Sequence, residues 1–128
     1  MKLVLMSLAV LLTPLHGKTI QATTYGWGEM SCLRNRHPAP CTTGAVTSTG
    51  EKFDISLPTA AIHVPRGTFF KPTNAFFKLT EDSECQQIRI NDTKGNRGID
   101  LSPASLVLLG AKASRHWSGK VIFCGFVK

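Results

Sequence analysis

The chain has 128 residues, of which 42% are hydrophobic, and a formal net charge of +7 at neutral pH. This length suits a single domain. Beyond residues 1–17, no apolar run approaches the roughly 20 residues of a membrane-spanning helix. We therefore expect a soluble protein and exclude one that is built around membrane spans.

The N-terminus has the pattern of a secretory signal peptide. Lys2 gives a basic start, and residues 3–12 form an apolar run with one polar residue. We predict that residues 1–17 are a signal peptide, with cleavage after Ala22 as the alternative, and that residues 18–128 form one domain. An uncleaved membrane anchor is the competing interpretation. The predicted location is secreted or periplasmic, without stable membrane insertion after cleavage.

All four cysteines follow the predicted signal peptide: Cys32, Cys41, Cys85 and Cys124. An even number of cysteines in an exported chain indicates two disulfides. Three pairings are possible, and we favour Cys32–Cys41, closing a short loop, with Cys85–Cys124 joining distant strands. A zinc site near His37 is the alternative, but the chain lacks the Cys-x-x-Cys pair that such sites commonly use. We expect no metal and no other cofactor.

The positive charges are scattered along the chain rather than collected in one block. A basic surface favours anionic partners, although it also serves solubility alone. An exported, disulfide-bonded protein rarely meets nucleic acid, so we expect no nucleic-acid partner. A cell-wall polymer, an acidic polysaccharide or an anionic membrane surface fits the charge better, and we expect a monomer.

Short segments rich in β-branched and aromatic residues predict a mainly β fold, as a barrel or a sandwich. The strand candidates are Ile62-His63-Val64, Thr68-Phe69-Phe70, Ala75-Phe76-Phe77-Lys78-Leu79, residues 87–91 and residues 120–127. One helix is predicted after Ser102, which can cap it, and Gly110 can end it. Its apolar face is predicted to carry Ala104, Val107 and Leu108.

Asp92 stands where one of these strands is expected to end. The apolar residues alternate in this segment, so Asp92 has the parity of Ile88 and Ile90 and is expected on their face. A carboxyl at the rim of an apolar face is partly desolvated, which favours a proton donor near neutral pH. The alternative is structural, because Asp is a common first residue of turns.

Two further segments carry either chemistry or only structure. Residues 47–54 form a polar, turn-rich stretch in which Glu51 and Asp54 are three residues apart. By itself this pattern is typical of a solvated loop. His63 lies in an apolar run, where a lone histidine is more often a hydrogen-bonded structural residue than a catalyst.

Seven short motifs follow one another between residues 24 and 110. They are Thr24-Tyr25-Gly26, Thr47-Ser48-Thr49-Gly50-Glu51-Lys52-Phe53-Asp54, Thr59-Ala60-Ala61-Ile62-His63, Pro65-Arg66-Gly67-Thr68, Thr73-Asn74, Arg89-Ile90-Asn91-Asp92 and Arg97-Gly98-Ile99-Asp100-Leu101-Ser102. In this order they resemble the rare lipoprotein A (RlpA)-like family. The resemblance implies a six-stranded double-psi β-barrel with one or two short helices, which in this chain would be disulfide-bonded.

The resemblance also implies an activity, that of a lytic transglycosylase acting on peptidoglycan or a related cell-wall glycan. Such an enzyme cleaves the MurNAc–GlcNAc bond without water, because the 6-hydroxyl of the sugar attacks and a 1,6-anhydro product forms. One carboxyl can act first as acid and then as base. Most glycoside hydrolases instead use a pair of carboxylates.

The site residues follow from the matching motif positions. The catalytic positions fall on Asp92, as acid and base, and on His63. The substrate-binding positions fall on Glu51, Asp54, Asn74 and Tyr25. A carboxylate beside the reacting sugar would stabilise a developing oxocarbenium ion, and a tyrosine can stack on a sugar ring. Asp100 is expected to serve the loop before the helix.

The chain departs from the family pattern at two points. Ile62 intrudes before His63, and Thr93-Lys94-Gly95 replaces the family's Arg-Gly-Pro, so the basic partner of Asp92 is either lost or supplied by Lys94. Two alternatives therefore stay open. One is a non-catalytic polysaccharide-binding or wall-loosening module of the expansin type. The other is a family-45-like endoglucanase, which needs two separated carboxylates.

Overall fold

The computed structural model describes residues 4–5, 17–27 and 44–127. Most of the predicted signal peptide lies outside the described residues, as do Cys32, Cys41 and His37. The signal peptide, the Cys32–Cys41 disulfide and the zinc alternative therefore stay predictions.

Short strands and one short helix make up the regular structure of the described residues. In chain order they are β1 (Val4–Leu5), β2 (Thr19–Thr24), β3 (Thr59–His63), β4 (Thr68–Phe69), β5 (Thr73–Lys78), β6 (Gln86–Lys94), β7 (Ile99–Leu101), α1 (Pro103–Leu109) and β8 (Gly119–Phe126). The five predicted strand segments all overlap strands of the structure. Strands β1, β2 and β7 fall outside the prediction, because β1 lies in the predicted signal peptide, β2 is rich in threonine and β7 has only three residues.

Six of these strands close into a barrel in the order β2-β7-β3-β6-β5-β8. Two neighbouring pairs, β2–β7 and β3–β6, are parallel. The other neighbours pair antiparallel. This confirms the predicted class of a mainly β, six-stranded barrel with a short helix. Strands β1 and β4 form a separate two-stranded parallel sheet.

Apolar side chains that alternate along the strands fill the barrel. On β6, Ile88 and Ile90 are fully buried in this core, whereas the side chains of Gln87 and Arg89 point outward. The same alternation on β3 and β7 places Ala60, Ile62, Ile99 and Leu101 in the core. Burying one large aliphatic side chain contributes about 1.5–3 kcal/mol. The inward positions therefore stabilise the barrel and leave the outward positions available for a site.

Helix α1 begins and ends where the sequence predicts. Ser102 is its N-cap, and the Ser102 hydroxyl accepts a hydrogen bond from the Ser105 amide at 3.4 Å. Gly110 ends the helix in the left-handed region, at a φ of 80°, where glycine has no steric penalty.

The predicted apolar face of α1 is wrong. Val107 is 66% exposed and Leu108 is 39% exposed, whereas Leu106 and Leu109 are buried. Hydrogen bonds between the start of the helix and β3 explain this orientation. The Thr59 amide donates to the Ser102 hydroxyl at 3.0 Å, and the Ser105 hydroxyl donates to the Thr59 carbonyl at 2.7 Å. These bonds fix the rotation of the helix against β3 and turn Val107 to solvent.

Cys85 and Cys124 form a disulfide with a Cα–Cα distance of 6.4 Å, which confirms this part of the predicted pairing. Cys85 immediately precedes β6, and Cys124 belongs to β8. Because β5 lies between these two strands in the barrel, the disulfide joins strands that are not hydrogen-bonded neighbours.

A β-bulge in β6 decides which way the following residues point. Ile90 pairs with Ala60 and Asp92 pairs with Ala61, so Asn91 is an extra residue opposite the unbroken run of β3. An extra residue of this kind moves every later side chain to the other face of the sheet.

Asp92 consequently lies outside the barrel, not on the face of the inward isoleucines as the alternation predicts. Its neighbour across the sheet, Ala61, packs with Tyr25 and Phe53 in a second apolar cluster. The strand also continues to Lys94 instead of ending at Asp92.

Candidate active site

An open groove lies on the outside of the barrel beside the bulge. Its volume is about 520 Å³, which is within the usual range for ligand sites. It is lined by Glu51, Lys52, Asp54, Leu57, Pro58, Thr59, Asn74, Gln87, Arg89 and Asn91. Three of the four predicted substrate-binding residues, Glu51, Asp54 and Asn74, therefore lie in one groove.

The floor of the groove consists of outward residues on three adjacent strands. Arg89 of β6 pairs with Asn74 of β5 on one side and with Thr59 of β3 on the other. Residues directly opposite each other on neighbouring strands share a face of the sheet. The barrel therefore presents these three polar side chains as one row.

Glu51 is bound to this floor by Arg89. The Arg89 Nε lies 2.9 Å from both carboxylate oxygens of Glu51, and the Nη2 group donates a further hydrogen bond. These hydrogen bonds from Arg89, supported by one from Asn91, lower the pKa of the Glu51 carboxyl. Glu51 is thus a fixed negative charge at neutral pH and not a proton donor.

Asp54 is the second carboxylate of the groove. Its Oδ1 accepts hydrogen bonds from the Ser56 hydroxyl at 2.7 Å and from the Ser56 amide at 2.9 Å. The hydrogen bond from the Ser56 hydroxyl, followed by that from the amide, lowers the pKa of the Asp54 carboxyl. Asp54 is therefore also a carboxylate at neutral pH.

Asn91, the extra residue of the bulge, is 2% exposed and joins the groove to Asp92. Its Nδ2 donates to the Glu51 Oε1 at 3.1 Å. A carboxylate only accepts hydrogen bonds, so this contact fixes which end of the amide faces Glu51. The Asn91 Oδ1 is buried and has no hydrogen-bond partner among the described residues.

A short hairpin over residues 44–53 forms one wall of the site. Its backbone hydrogen bonds link Gly44 with Phe53, and Thr47 with both Glu51 and Gly50. Phe53 is fully buried and anchors the base of the hairpin against the ring of Tyr25, with 5.7 Å between ring centroids.

Gly26, next to Tyr25, allows this anchoring. Its φ is 80°, and a Cβ at this position would lie 2.7 Å from the Cζ of Phe53. Only glycine fits so close to the ring, which gives a physical reason for glycine in the Tyr-Gly motif.

Asp92 lies beneath the tip of the hairpin and is 3% exposed. Its Oδ1 accepts hydrogen bonds from the Ser48 amide at 3.0 Å and from the Thr93 amide at 2.9 Å. Its Oδ2 is buried without a hydrogen-bond partner in the described part of the chain. Asp92 therefore adjoins the groove through Asn91 but does not line it.

Tyr25 lies under the groove and not in it. It is 2% exposed, and its hydroxyl is 2.8 Å from the Thr59 hydroxyl. Burial raises the pKa of the Tyr25 phenol, and the nearby negative charges of Asp92 and Asp100 raise it further. The ring supports the groove from below, and stacking on a sugar would require it to leave this position.

Lys94 does not supply the missing basic partner of Asp92. Its Nζ lies 2.8 Å from the Asp100 Oδ1, to which the Thr23 hydroxyl also donates. The Lys94 and Asp100 side chains are 9% and 12% exposed. Asp100 is thus half of a buried ion pair between β6 and β7, which differs from its predicted role in the loop before the helix.

His63 ends β3 and is exposed to solvent. Its Nδ1 lies 3.3 Å from the Lys94 carbonyl oxygen, and the residue does not line the groove. The structure therefore does not bring His63 together with Glu51, Asp54 and Asn74, and its catalytic role stays a prediction.

The sequence prediction does not include Arg89 and Asn91 among the site residues. The signal for them is the outward parity of β6, where polar residues alternate with the buried isoleucines. A polar residue on the outward face of a strand is usually only solvated, so the pattern does not separate a binding residue from an ordinary surface residue.

Comparisons with known proteins do not assign the chain to a group. No family model matches the sequence, and no curated protein matches it. Among the residues that the structure describes, no helix combines the length and the apolar character needed to span a membrane. Nor do three or more metal-ligating side chains come together in those residues.

Proposed function

We propose that this chain is a peptidoglycan lytic transglycosylase of the RlpA-like double-psi barrel family. The observation that carries the proposal is the groove. It gathers Glu51, Asp54 and Asn74, which lie in separate motifs of the sequence and to which the resemblance assigns substrate binding. A closed six-stranded barrel with two parallel strand pairs supports the same family.

Asp92 is proposed as the proton donor by comparison with the other carboxyls. Glu51 is held ionised by Arg89, and Asp54 by Ser56. Asp92 adjoins the groove residue Asn91, and one of its oxygens, Oδ2, has no hydrogen-bond partner within the described residues. A free carboxyl oxygen is what proton transfer requires.

The proposed reaction uses Asp92 twice. The Asp92 carboxyl donates its proton to the glycosidic oxygen, and the bond between that oxygen and the anomeric carbon breaks. The positive charge on the sugar ring is stabilised by the carboxylates of Glu51 and Asp54. The Asp92 carboxylate then takes the proton of the sugar's 6-hydroxyl, and the oxygen of that hydroxyl bonds to the anomeric carbon. This step closes the 1,6-anhydro ring and regenerates the Asp92 acid.

Product analysis tests this proposal. Purified protein is incubated with peptidoglycan sacculi, and the soluble fragments are weighed by mass spectrometry. Anhydro-muropeptides are expected, and the Asp92→Asn variant should release them at least about 10²-fold more slowly while it melts like the wild type. Hydrated fragment ends, or full activity of the variant, would contradict the proposal.

A glycan-binding module is the second candidate, and the 3% exposure of Asp92 favours it. In that case the groove binds polysaccharide through Glu51, Arg89 and Asn74 without cleavage. Wild-type protein that is retained on sacculi but releases no fragments would establish this alternative. The predicted monomeric state and the secreted or periplasmic location belong to both candidates.

A further inference from the structure

The tip of the hairpin lies over Asp92, which does not line the groove. The Gly50 amide donates to the Thr47 carbonyl at 3.0 Å, so residues 47–50 form a β-turn, which we name the tip turn. Asp92 is 3% exposed beneath it. A carboxyl in this position does not reach a glycan that lies in the groove.

We propose that the tip turn is a lid that opens to uncover the Oδ2 atom of Asp92 when the enzyme acts. This inference rests on the proposed function, because it concerns access to the proposed catalytic acid. It adds a conformational step that must precede proton transfer.

Few bonds hold the tip turn in the closed position. The Ser48 amide donates to the Asp92 Oδ1 at 3.0 Å, and the Thr49 hydroxyl donates to the Asn91 carbonyl at 2.5 Å. The Thr93 hydroxyl donates to the Ser48 hydroxyl at 3.0 Å. The hydrogen bond from the Gly50 amide to the Thr47 carbonyl, by contrast, lies within the turn and moves with it.

The base of the hairpin is held independently of its tip. Phe53 is fully buried beside Tyr25, and Glu51 is bound to Arg89 and Asn91 across the groove. Opening of the tip turn therefore does not require the groove to come apart. Substrate binding and access to Asp92 are separable steps.

The closed position also leaves two buried side-chain oxygens without hydrogen-bond partners among the described residues. The Asn91 Oδ1 and the Asp92 Oδ2 are the atoms of this kind that the described residues contain, and they belong to adjacent residues beneath the tip turn. A buried acceptor without a donor is unfavourable, because it has lost its hydrogen bonds to water. Opening the turn to water at the Asp92 Oδ2 would offset part of the cost of breaking the three hydrogen bonds that hold the turn closed.

Carboxyl labelling tests the lid without relying on activity. The intact protein is treated with a carbodiimide and an amine, then digested with trypsin. The peptide of residues 90–94 contains Asp92 as its only acidic side chain, and the peptide of residues 53–66 contains only Asp54. Asp92 should be labelled much more slowly than Asp54 in the wild type. Equal labelling rates would overturn the proposal.

Two substitutions loosen the tip turn in different ways. Ser48 occupies the second position of the turn, where proline is well tolerated, so Ser48→Pro removes the amide donor to Asp92 and keeps the turn. Thr49→Val removes the hydroxyl donor to the Asn91 carbonyl. Both variants should label Asp92 several-fold faster relative to Asp54. No increase in either variant would contradict a lid that these bonds hold closed.

A cross-link locks the tip turn. The Oγ atoms of Ser48 and Thr93 are 3.0 Å apart, so Ser48→Cys combined with Thr93→Cys is positioned for a disulfide. Peptide mapping confirms the new link. The oxidised variant should bind sacculi like the wild type but release fragments at least about 10²-fold more slowly, the loss expected when an acid is withheld. Reduction should restore release.

Two controls separate the lid from other effects. Ser48→Ala combined with Thr93→Ala loses the same hydrogen bond but cannot cross-link, and wild-type protein given the same reductant reports on Cys85–Cys124. Oxidised, locked protein that cleaves as fast as the alanine control overturns the lid. If Asp92→Asn is fully active, the proposed acid fails, and the lid is then judged by the labelling rates alone.

Discussion

Replacement of Asp100 by alanine is expected to destabilise the barrel more than any other single loss of charge described above. The variant leaves the Lys94 ammonium without its carboxylate, in a position where the lysine side chain is 9% exposed. A buried charge that has lost its partner typically costs about 3–5 kcal/mol. The Thr23 hydroxyl also loses its acceptor.

The magnitude can be stated as a melting temperature. At roughly 4 °C per kcal/mol for a domain of this size, about 3 kcal/mol corresponds to a decrease of about 12 °C. Differential scanning calorimetry measures this decrease, and urea unfolding at constant temperature measures the free energy directly.

The chain provides a matched control in Lys78 and Glu81. This pair is 3.5 Å apart, but the Glu81 side chain is 80% exposed. Glu81→Gln should cost less than about 1 kcal/mol, as exposed pairs do. Replacing both buried partners, with Lys94→Met and Asp100→Leu, should recover most of the loss, because no unpaired charge remains. An Asp100→Ala variant that melts within the range of Glu81→Gln would refute the reasoning.

Three further predictions concern other parts of the molecule. Tyr25 is the only tyrosine of the chain, and burial raises the pKa of its phenol above the ordinary value of 10.0. Absorbance at 295 nm should therefore show no tyrosinate through about pH 11 as long as the protein stays folded. Titration with the ordinary pKa would contradict the buried position. The neutral phenol contributes stability that is present below pH 10 and is lost as the pH rises above it. For Glu51 the pH dependence of stability is opposite, because hydrogen bonding to Arg89 lowers the pKa of this carboxyl from 4.5. The decrease in melting temperature caused by Arg89→Leu should be largest at about pH 6 and should shrink as the pH falls through the folded-state pKa of Glu51. A decrease that stays constant down to about pH 3 would argue against this role of Arg89. Finally, replacing Cys85 and Cys124 by serine should cost about 2–5 kcal/mol in urea unfolding, and a loss below about 1 kcal/mol would mean that the disulfide stabilises little.

Local signals in the sequence predict much of the barrel. The alternation of Ile88 and Ile90 predicts β6, and Ser102 and Gly110 mark the ends of the helix. The even number of cysteines predicts two disulfides, and one pair of the favoured pairing, Cys85–Cys124, is present in the structure. Each of these features depends on residues close together in the chain or on simple chemistry of one residue type.

The arrangement of the site is less accessible to sequence reasoning. No local sequence pattern predicts that Asn91 is an extra residue in β6. The alternation of apolar residues therefore places Asp92 on the inner face of the strand, which is wrong. The contacts of Glu51 with Arg89 and of Lys94 with Asp100 depend on which strands are neighbours, and strand order is a property of the whole barrel. Motif order brought Glu51, Asp54 and Asn74 into one prediction, but it could not distinguish a residue that lines the groove from one, such as Tyr25, that supports it.

The β-bulge has a consequence for how this chain can change by mutation. Insertion of one residue into β3 between Ala60 and Ala61 would give Asn91 a partner, remove the bulge and turn the Asp92 side chain into the barrel interior, with the parity of Ile88 and Ile90. An unpaired carboxylate among isoleucines is strongly unfavourable, so such an insertion is expected to prevent folding, whatever its effect on activity. Outward substitutions at Gln87, Arg89 or Asn74 carry no such penalty. Folding therefore opposes this route to a regular strand pair, whereas the groove beside the bulge is free to diverge in what it recognises.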